Sequence, residues 1–390
     1  MSSRTRRLVL YLSAPIVTFI VVGGFLGQVI AREDTYQHLK VFDDVVGLIT
    51  KNYVEEVDID RVMGGAMLGL ADSLDPDSTY LTPDEVELIE EETPLPAGDV
   101  GLDLTRQYYL RIIAARDGSP AARAGLRTGD YIRAIDGEPT RFMSVFKGMR
   151  ALRGAPGSTT TLTIIRGNAN DPREITLTRD ALPAPDVTSR LAASGVGYIR
   201  VPSLDARTVD QVGARAADRA WGGASTLIVD VRRTSGGAPS NGVALARLFV
   251  PSGTLARREA KGAEPETLAA ASGDGSITLP TMLLVDIGTS GAAEVFASAL
   301  SGNERAELIG EHTIGRAAEQ TLVKLPNGSG LWLTTTRYAK PDGTPLHGAG
   351  LEPTVQVDQP IVEFGQTPAT TDPILDAALE RIAQSLKRAA

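Results

Sequence analysis

The chain opens with an uncharged, largely apolar run from Leu8 to Ala31, 24 residues long, and a bilayer-spanning helix needs about 20. Arg4, Arg6 and Arg7 precede it, and Glu33 and Asp34 follow. The positive-inside rule then puts residues 1–7 in the cytoplasm and the body across the membrane. The alternative is a cleaved signal peptide ending near Val29-Ile30-Ala31, whose apolar core usually runs about 7–15 residues. Either reading exports the body, to the periplasm of a double-membrane bacterium or outside the cell. Over 36–53, the spacing of Leu39, Phe42, Val45, Val46, Ile49 and Tyr53 predicts an amphipathic helix. A second helix, from Ile59 to Leu74, stops at Asp75-Pro76.

Further along, apolar runs become short and strand-like. Val100–Leu104, residues 159–166, Gly197–Val201, Thr226–Arg232 and Met282–Ile287 read as strands, the last two of the fully buried type. Helix-compatible sequence lies over about 208–220, and another helix begins near Gly291. Strand–helix alternation of this kind gives an α/β core. The Gly/Ala-rich stretch 253–276 reads as a mobile surface loop. Residues 372–387 read as a closing helix, with Pro373 in its first turn and Leu375, Leu379 and Ile382 on one face.

Composition narrows the function classes. The 390 residues suffice for two or three domains. Net charge is −9, and the arginines of residues 1–32 make the remainder more acidic still, which disfavours nucleic acid as a partner. Aromatic residues are only 5%, too few for a base-stacking surface. There is no cysteine, and His38, His312 and His347 show no metal-ligand spacing. No cofactor or metal is implied.

Four groups of motifs carry the chemistry. Residues 73–83 read Ser-Leu-Asp-Pro-Asp-Ser-Thr-Tyr-Leu-Thr-Pro. Next come Asp99-Val100-Gly101-Leu102-Asp103-Leu104, Gly118-Ser119-Pro120-Ala121, Gly129-Asp130 and Leu152-Arg153-Gly154-Ala155-Pro156-Gly157. Asp230-Val231-Arg232-Arg233-Thr234-Ser235-Gly236-Gly237 follows the buried strand. Last are 288–295, Gly-Thr-Ser-Gly-Ala-Ala-Glu-Val, and 310–320, Gly-Glu-His-Thr-Ile-Gly-Arg-Ala-Ala-Glu-Gln. In this order they resemble the carboxyl-terminal processing peptidases (tail-specific proteases), over nearly the whole body from about 36 to 385. The resemblance implies a multi-domain α/β protein. Its parts would be a cytoplasmic tail (1–7), a transmembrane helix or signal anchor (8–31) and an N-terminal helical region (33–96). A PDZ domain (97–182), a peptidase-like α/β core (183–360) and a C-terminal helical tail (361–390) would follow.

Members of that family carry G-S-A-S-A-S-E-I, with a serine nucleophile, and F-G-K-G-x-x-Q, with a lysine base. Here the nucleophile position is Gly291 and the base position is Arg316, 25 residues on. Glycine has no side chain to attack with, and arginine stays protonated at any physiological pH. The resemblance implies oxyanion donors at the N–H of Gly236 or Gly237 and of Ala292, and an orienting amide at Gln320. Val100, Gly101, Leu102, Asp103 and Leu104 would form the peptide-binding edge of the PDZ domain, with N–H groups near Gly101 and Leu102 taking a terminal carboxylate. Arg316 can bind a carboxylate, with Glu294, Glu311, Glu319 or a peptide C-terminus as the expected partner. Asp77 stands where the family has histidine, Thr234-Ser235 where it has Asn-Pro, and His312 where it has proline. The function implied is a pseudopeptidase that binds protein C-terminal tails or a partner peptidase without cutting, with self-association through its terminal segments. The alternative is an active serine endopeptidase that uses Ser290.

Overall fold

A computed structural model describes residues 37–167, 171–217, 224–359 and 371–389. Contacts divide the chain after Ala66. Helix α1 covers 37–52, with Leu39, Val45, Leu48 and Tyr53 of this region exposed. Helix α2 (Ile59–Asp72) ends just before Asp75-Pro76. The apolar run 8–31 lies outside the described residues, among which no helix is long and apolar enough to cross a membrane.

From Met67 onward the chain first forms β1 (Thr79–Leu81) and α3 (Pro83–Glu90). A capping box starts α3: Glu85 N donates to Thr82 Oγ1 (3.3 Å), and Thr82 N donates to Glu85 Oε2 (2.9 Å). A small β-rich body follows. It comprises β2 (Gly98–Asp99), β3 (Leu102–Gln107), β4 (Tyr109–Ala115), α4 (Pro120–Arg123), β5 (Tyr131–Ile135) and β6 (Glu138–Pro139). Then come α5 (Val145–Ala151), β7 (Thr159–Ile165), β8 (Arg173–Thr178) and β9 (Asp180–Ala181). Its antiparallel sheet runs β3-β4-β5-β7-β8 with β6 beside β5, and β2 pairs with β9. Leu102, Leu104, Leu110, Ile132, Leu162 and Ile164 fill its core. Strand β3 is an edge strand and α5 packs along it.

The second body contains β10 (Thr188–Ala193), β11 (Val196–Arg200), α6 (Thr208–Ala216), β12 (Thr226–Asp230) and α7 (Pro239–Ala246). It continues with β13 (Thr254–Ala260), β14 (Glu266–Ala269), β15 (Thr281–Val285), α8 (Ala292–Gly302) and β16 (Ala306–Gly310). It ends with β17 (Ala318–Lys324), β18 (Gly330–Ala339), β19 (Val355–Gln356) and α9 (Pro373–Ala389). The central sheet runs β10-β11-β12-β15-β16-β19 and is parallel from β11 to β19. Side chains alternate across it, as a two-residue period requires. Leu227, Val229, Leu283 and Val285 face the cluster that holds Phe249 and Phe296, while Ile228, Leu284 and Ile309 face Ile374, Ala378 and Ile382 of α9. The buried stripe of α9 is thus centred on Ile374, Ala378 and Ile382, with Leu375 and Leu379 at its flank.

Residues 253–276 correct the expectation of a loop. β13 and β14 form an antiparallel hairpin there, and β13 also pairs with β18 in a second sheet with β1 and β17. Leu255 and Ala256 are buried, and the charged Arg257-Arg258-Glu259 run follows them. The partner strand lies about 80 residues away in sequence, so local composition carries no sign of the pairing.

Candidate active-site cleft

The site lies at the carboxyl ends of the parallel strands, the usual location of ligand sites in open α/β sheets. Strand β12 delivers the loop 231–238, β15 delivers the turn 286–291 that opens α8, and β16 delivers the segment 311–317. Asp286 stitches the first two together. Its Oδ1 accepts from Arg233 N (2.8 Å), Gly288 N (3.0 Å) and Thr289 Oγ1 (3.2 Å). Burial pushes the Asp286 carboxyl above its ordinary range, against the pull of the Arg233 N–H.

Gly291 is the N-cap of α8, with φ 61° and ψ −118°. That is the strained strand-to-helix turn of a nucleophile elbow, and glycine adopts it without the cost a side chain brings. A Cβ built at 291 meets only Arg316 O (3.8 Å) and Ser235 O (3.9 Å). Residue 291, loop 233–237 and residue 316 therefore face one another, with room for a small side chain between them.

Glu294 brackets the two key positions. It is fully buried, and its Oε2 accepts from both Gly291 N (3.0 Å) and Arg316 N (2.7 Å). Its Oε1 accepts from Gly315 N (2.6 Å) and Thr313 Oγ1. Burial drives the Glu294 carboxyl upward, while these donors pull it down.

The Arg316 side chain does not go to Glu294, Glu311 or Glu319. Its Nε donates to Asp77 Oδ1 (2.7 Å), and its Nη2 donates to the same oxygen. The Asp77 carboxylate is only 4% exposed. Glu294 is occupied by backbone donors, Glu311 is half-buried with its carboxyl raised by burial and by Asp286, and Glu319 binds Tyr338 and Arg258. Asp75 holds the Asp77 loop in place: Oδ1 accepts from Asp77 N (2.8 Å) and Ser78 N (2.7 Å), and Oδ2 from Ser78 Oγ (2.9 Å). Sequence reading marked Asp77 as a departure without pairing it to Arg316. The signal was available in principle, since both departures are charged and of opposite sign.

The remaining expected positions divide. Gln320 lies on β17, and its amide donates to Thr334 Oγ1 (3.2 Å), leaving Arg316 to Asp77. Ala292 is buried at the first turn of α8. Gly236 O accepts from Leu204 N (3.3 Å), and a Cβ at Gly237 would stand 1.8 Å from Leu204 O, so that turn requires glycine. Ser290 is 1% exposed, and among the described residues its Oγ has no hydrogen-bond partner. His347 is a neighbour that sequence reading did not place in the cleft. Burial lowers its pKa, opposed by the charges of Asp77 and Asp75.

In the β-rich body, Val100 and Leu102 are buried. The Gly101 N–H expected to meet a peptide carboxylate is bonded to Asp99 Oδ1 (2.9 Å), and Asp99 in turn pairs with Arg153 (3.0 Å). Leu104 is buried on β3, and Asp103 Oδ2 accepts from Ser235 Oγ (2.5 Å), so the edge strand touches the cleft loop itself.

Residues 195–357 match the profile of Peptidase family S41, and residues 111–166 match that of the PDZ domain. The chain is 31% identical over 313 residues to a carboxyl-terminal-processing protease of Synechocystis sp., covering 78% of this chain and 73% of that protein. It is 28% identical over 367 residues to a carboxy-terminal-processing protease of Bartonella bacilliformis, covering 89% and 83%. The solved photosystem II D1 C-terminal processing protease superposes with a TM-score of 0.68 at 25% identity, over 81% of this chain and 92% of that one. The chain therefore belongs to the carboxyl-terminal-processing proteases, with an S41 core and a PDZ domain.

Proposed function

We propose that this protein is a membrane-anchored, exported pseudopeptidase that holds protein C-terminal tails, or a partner peptidase, without cutting. The observation that carries the reading is the Arg316–Asp77 pair beside a side-chain-less residue 291. A serine–lysine protease needs a hydroxyl and a neutral amine. Position 291 supplies no hydroxyl, and position 316 supplies a guanidinium fixed to a carboxylate. Ser290 is a poor substitute, because its Oγ is buried without a partner that would take its proton. The open edge of β3 beside α5 supports peptide addition to the sheet. Anchoring rests on the apolar run 8–31 flanked by arginines, with the body in the periplasm or outside the cell. The exposed apolar residues of the α1 region suit self-association.

The test is incubation of the purified protein with an unstructured protein ending in apolar residues. No cleavage is expected over a day at neutral pH. Cleavage that Ser290→Ala abolishes would establish the active-endopeptidase reading in its place.

A further inference from the structure

Resting on the pseudopeptidase reading, we infer that Asp77 is a third determinant of the silent site: a positioning carboxylate that keeps any basic group at position 316 cationic. Repair of Gly291 and Arg316 alone therefore leaves the site without a base.

The argument is geometric. The Asp77 carboxylate is 4% exposed and accepts from the Arg316 guanidinium. The Asp77 loop cannot swing away freely, because Asp75 binds its backbone and also accepts from Thr334 Oγ1 (3.3 Å), while Ser78 Oγ accepts from Thr334 N (3.1 Å) on β18. The backbone of residue 316 is equally fixed, through its N–H to Glu294. An amine introduced at 316 would thus start from a fixed root beside a fixed, nearly buried negative charge. Glu294 lies against the backbone N–H of residue 316, Asp75 binds the Asp77 loop, and His347, whose pKa burial lowers, feels the charges of Asp77, Asp75, Arg316 and Arg337. The charged group in direct contact with the 316 side chain is the Asp77 carboxylate, which favours a protonated amine there. An opposite charge at contact distance typically shifts such a group by about one to three pH units. The upward direction is opposite to what a lysine base requires.

The experiment compares full-length Gly291→Ser/Arg316→Lys with Gly291→Ser/Arg316→Lys/Asp77→His, using the same unstructured substrate across pH 6–10. Expected is at least about tenfold faster cleavage by the triple variant at pH 7, with cleavage by the double variant rising only at alkaline pH. Equal rates at pH 7 would overturn the inference. An activity-independent measurement accompanies it. In Arg316→Lys and Arg316→Lys/Asp77→Asn, the pH midpoint for acylation of the amine at 316 is followed by peptide mass spectrometry. The midpoint should fall by about one to three units when Asp77 is neutralised, and an unchanged midpoint overturns the inference even where neither variant cleaves. Cleavage by the native protein would sink the pseudopeptidase reading while leaving the midpoint comparison intact.

Discussion

Glu294 shows how a single side chain holds a cleft in shape. One carboxylate accepts from the N–H of Gly291, Gly315 and Arg316 and from Thr313 Oγ1. Four donors converge on four lone-pair directions, so the ionised acid fits and an amide does not. Glu294→Gln turns an NH2 toward a donor in a fully buried place, and a buried unpaired group costs about 1–3 kcal/mol. We expect a loss of about 2 kcal/mol in urea unfolding; an unaltered midpoint at constant slope would remove Glu294 from this role. Sequence reading took Glu294 as a candidate partner of the Arg316 side chain, and the structure gives it the backbone instead. Glu294 is three residues after Gly291 at a helix start, the spacing of a capping interaction. The Asp77–Arg316 pair was not read as a pair, because 239 residues separate its members and only their opposite charges at two departures pointed to it. Helical spacing directs attention to near neighbours, whereas here the tertiary fold chooses the partner.

At the scale of elements, the closing helix is tied to the sheet by charge as well as by its apolar stripe. Arg232, after β12, donates to Asp230 Oδ2 (2.6 Å) and to Oδ1 of Asp372, the residue before α9 (2.7 Å). Tyr198 OH also donates to Asp230 (2.6 Å). Burial alone would raise the Asp230 carboxyl, but the Arg232 guanidinium, with Arg200 and the Tyr198 hydroxyl, outweighs it and holds the group at about 2. Burial also opposes the shift at Asp372, and Arg232 again prevails and lowers it. Folded pKa values below the ordinary carboxylate value of about 3.9 stabilise the fold at higher pH. That contribution, about 2 kcal/mol for Asp230, is complete above roughly pH 5 and is lost as pH falls toward 2. Protection factors of the α9 amides, taken relative to intrinsic exchange at each pH, should therefore fall over this window, and Asp230→Asn should flatten the acid limb of stability. An acid limb unchanged by that substitution would refute the account. The helix itself was visible in the sequence through its period and Pro373, and β11, β12 and β15 as short apolar runs, whereas β16 and β19 were not read. The β13–β14 hairpin was not, because its strands are mixed in polarity and gain their order from β18.

At the scale of the whole body from Met67 onward, the PDZ domain rests on the peptidase core through a small polar contact at the cleft. Asp103 accepts from Ser235, and Asp117 pairs with Arg200 (2.9 Å) and Arg233 (3.1 Å). Asp117 and Arg233 are 40% and 48% exposed at their side chains, so their pair is worth under about 1 kcal/mol. Close backbone approach matters as much as charge here. Gly288, in the turn that leads to Gly291, faces the PDZ strand β4: a Cβ there would stand 2.9 Å from Ile113 O, 2.9 Å from Thr128 Oγ1 and 3.1 Å from Arg233 Cα. Thr128 Oγ1 is itself bonded to Ile113 O (2.7 Å), so neither group can yield without losing that bond. Gly288→Ala should therefore lift the PDZ domain from the cleft while each domain keeps its own core. The expected readout is faster hydrogen exchange at 111–115 and 233–237, together with a larger radius of gyration by solution scattering. If binding of peptide tails also requires the β3 edge to part from Ser235, the same variant should bind an apolar-ended peptide several-fold more tightly, because the cost of parting has already been removed. Unchanged exchange and unchanged dimensions would mean that the contact at Gly288 does not hold the domains together, and that the polar pairs at Asp103 and Asp117 do.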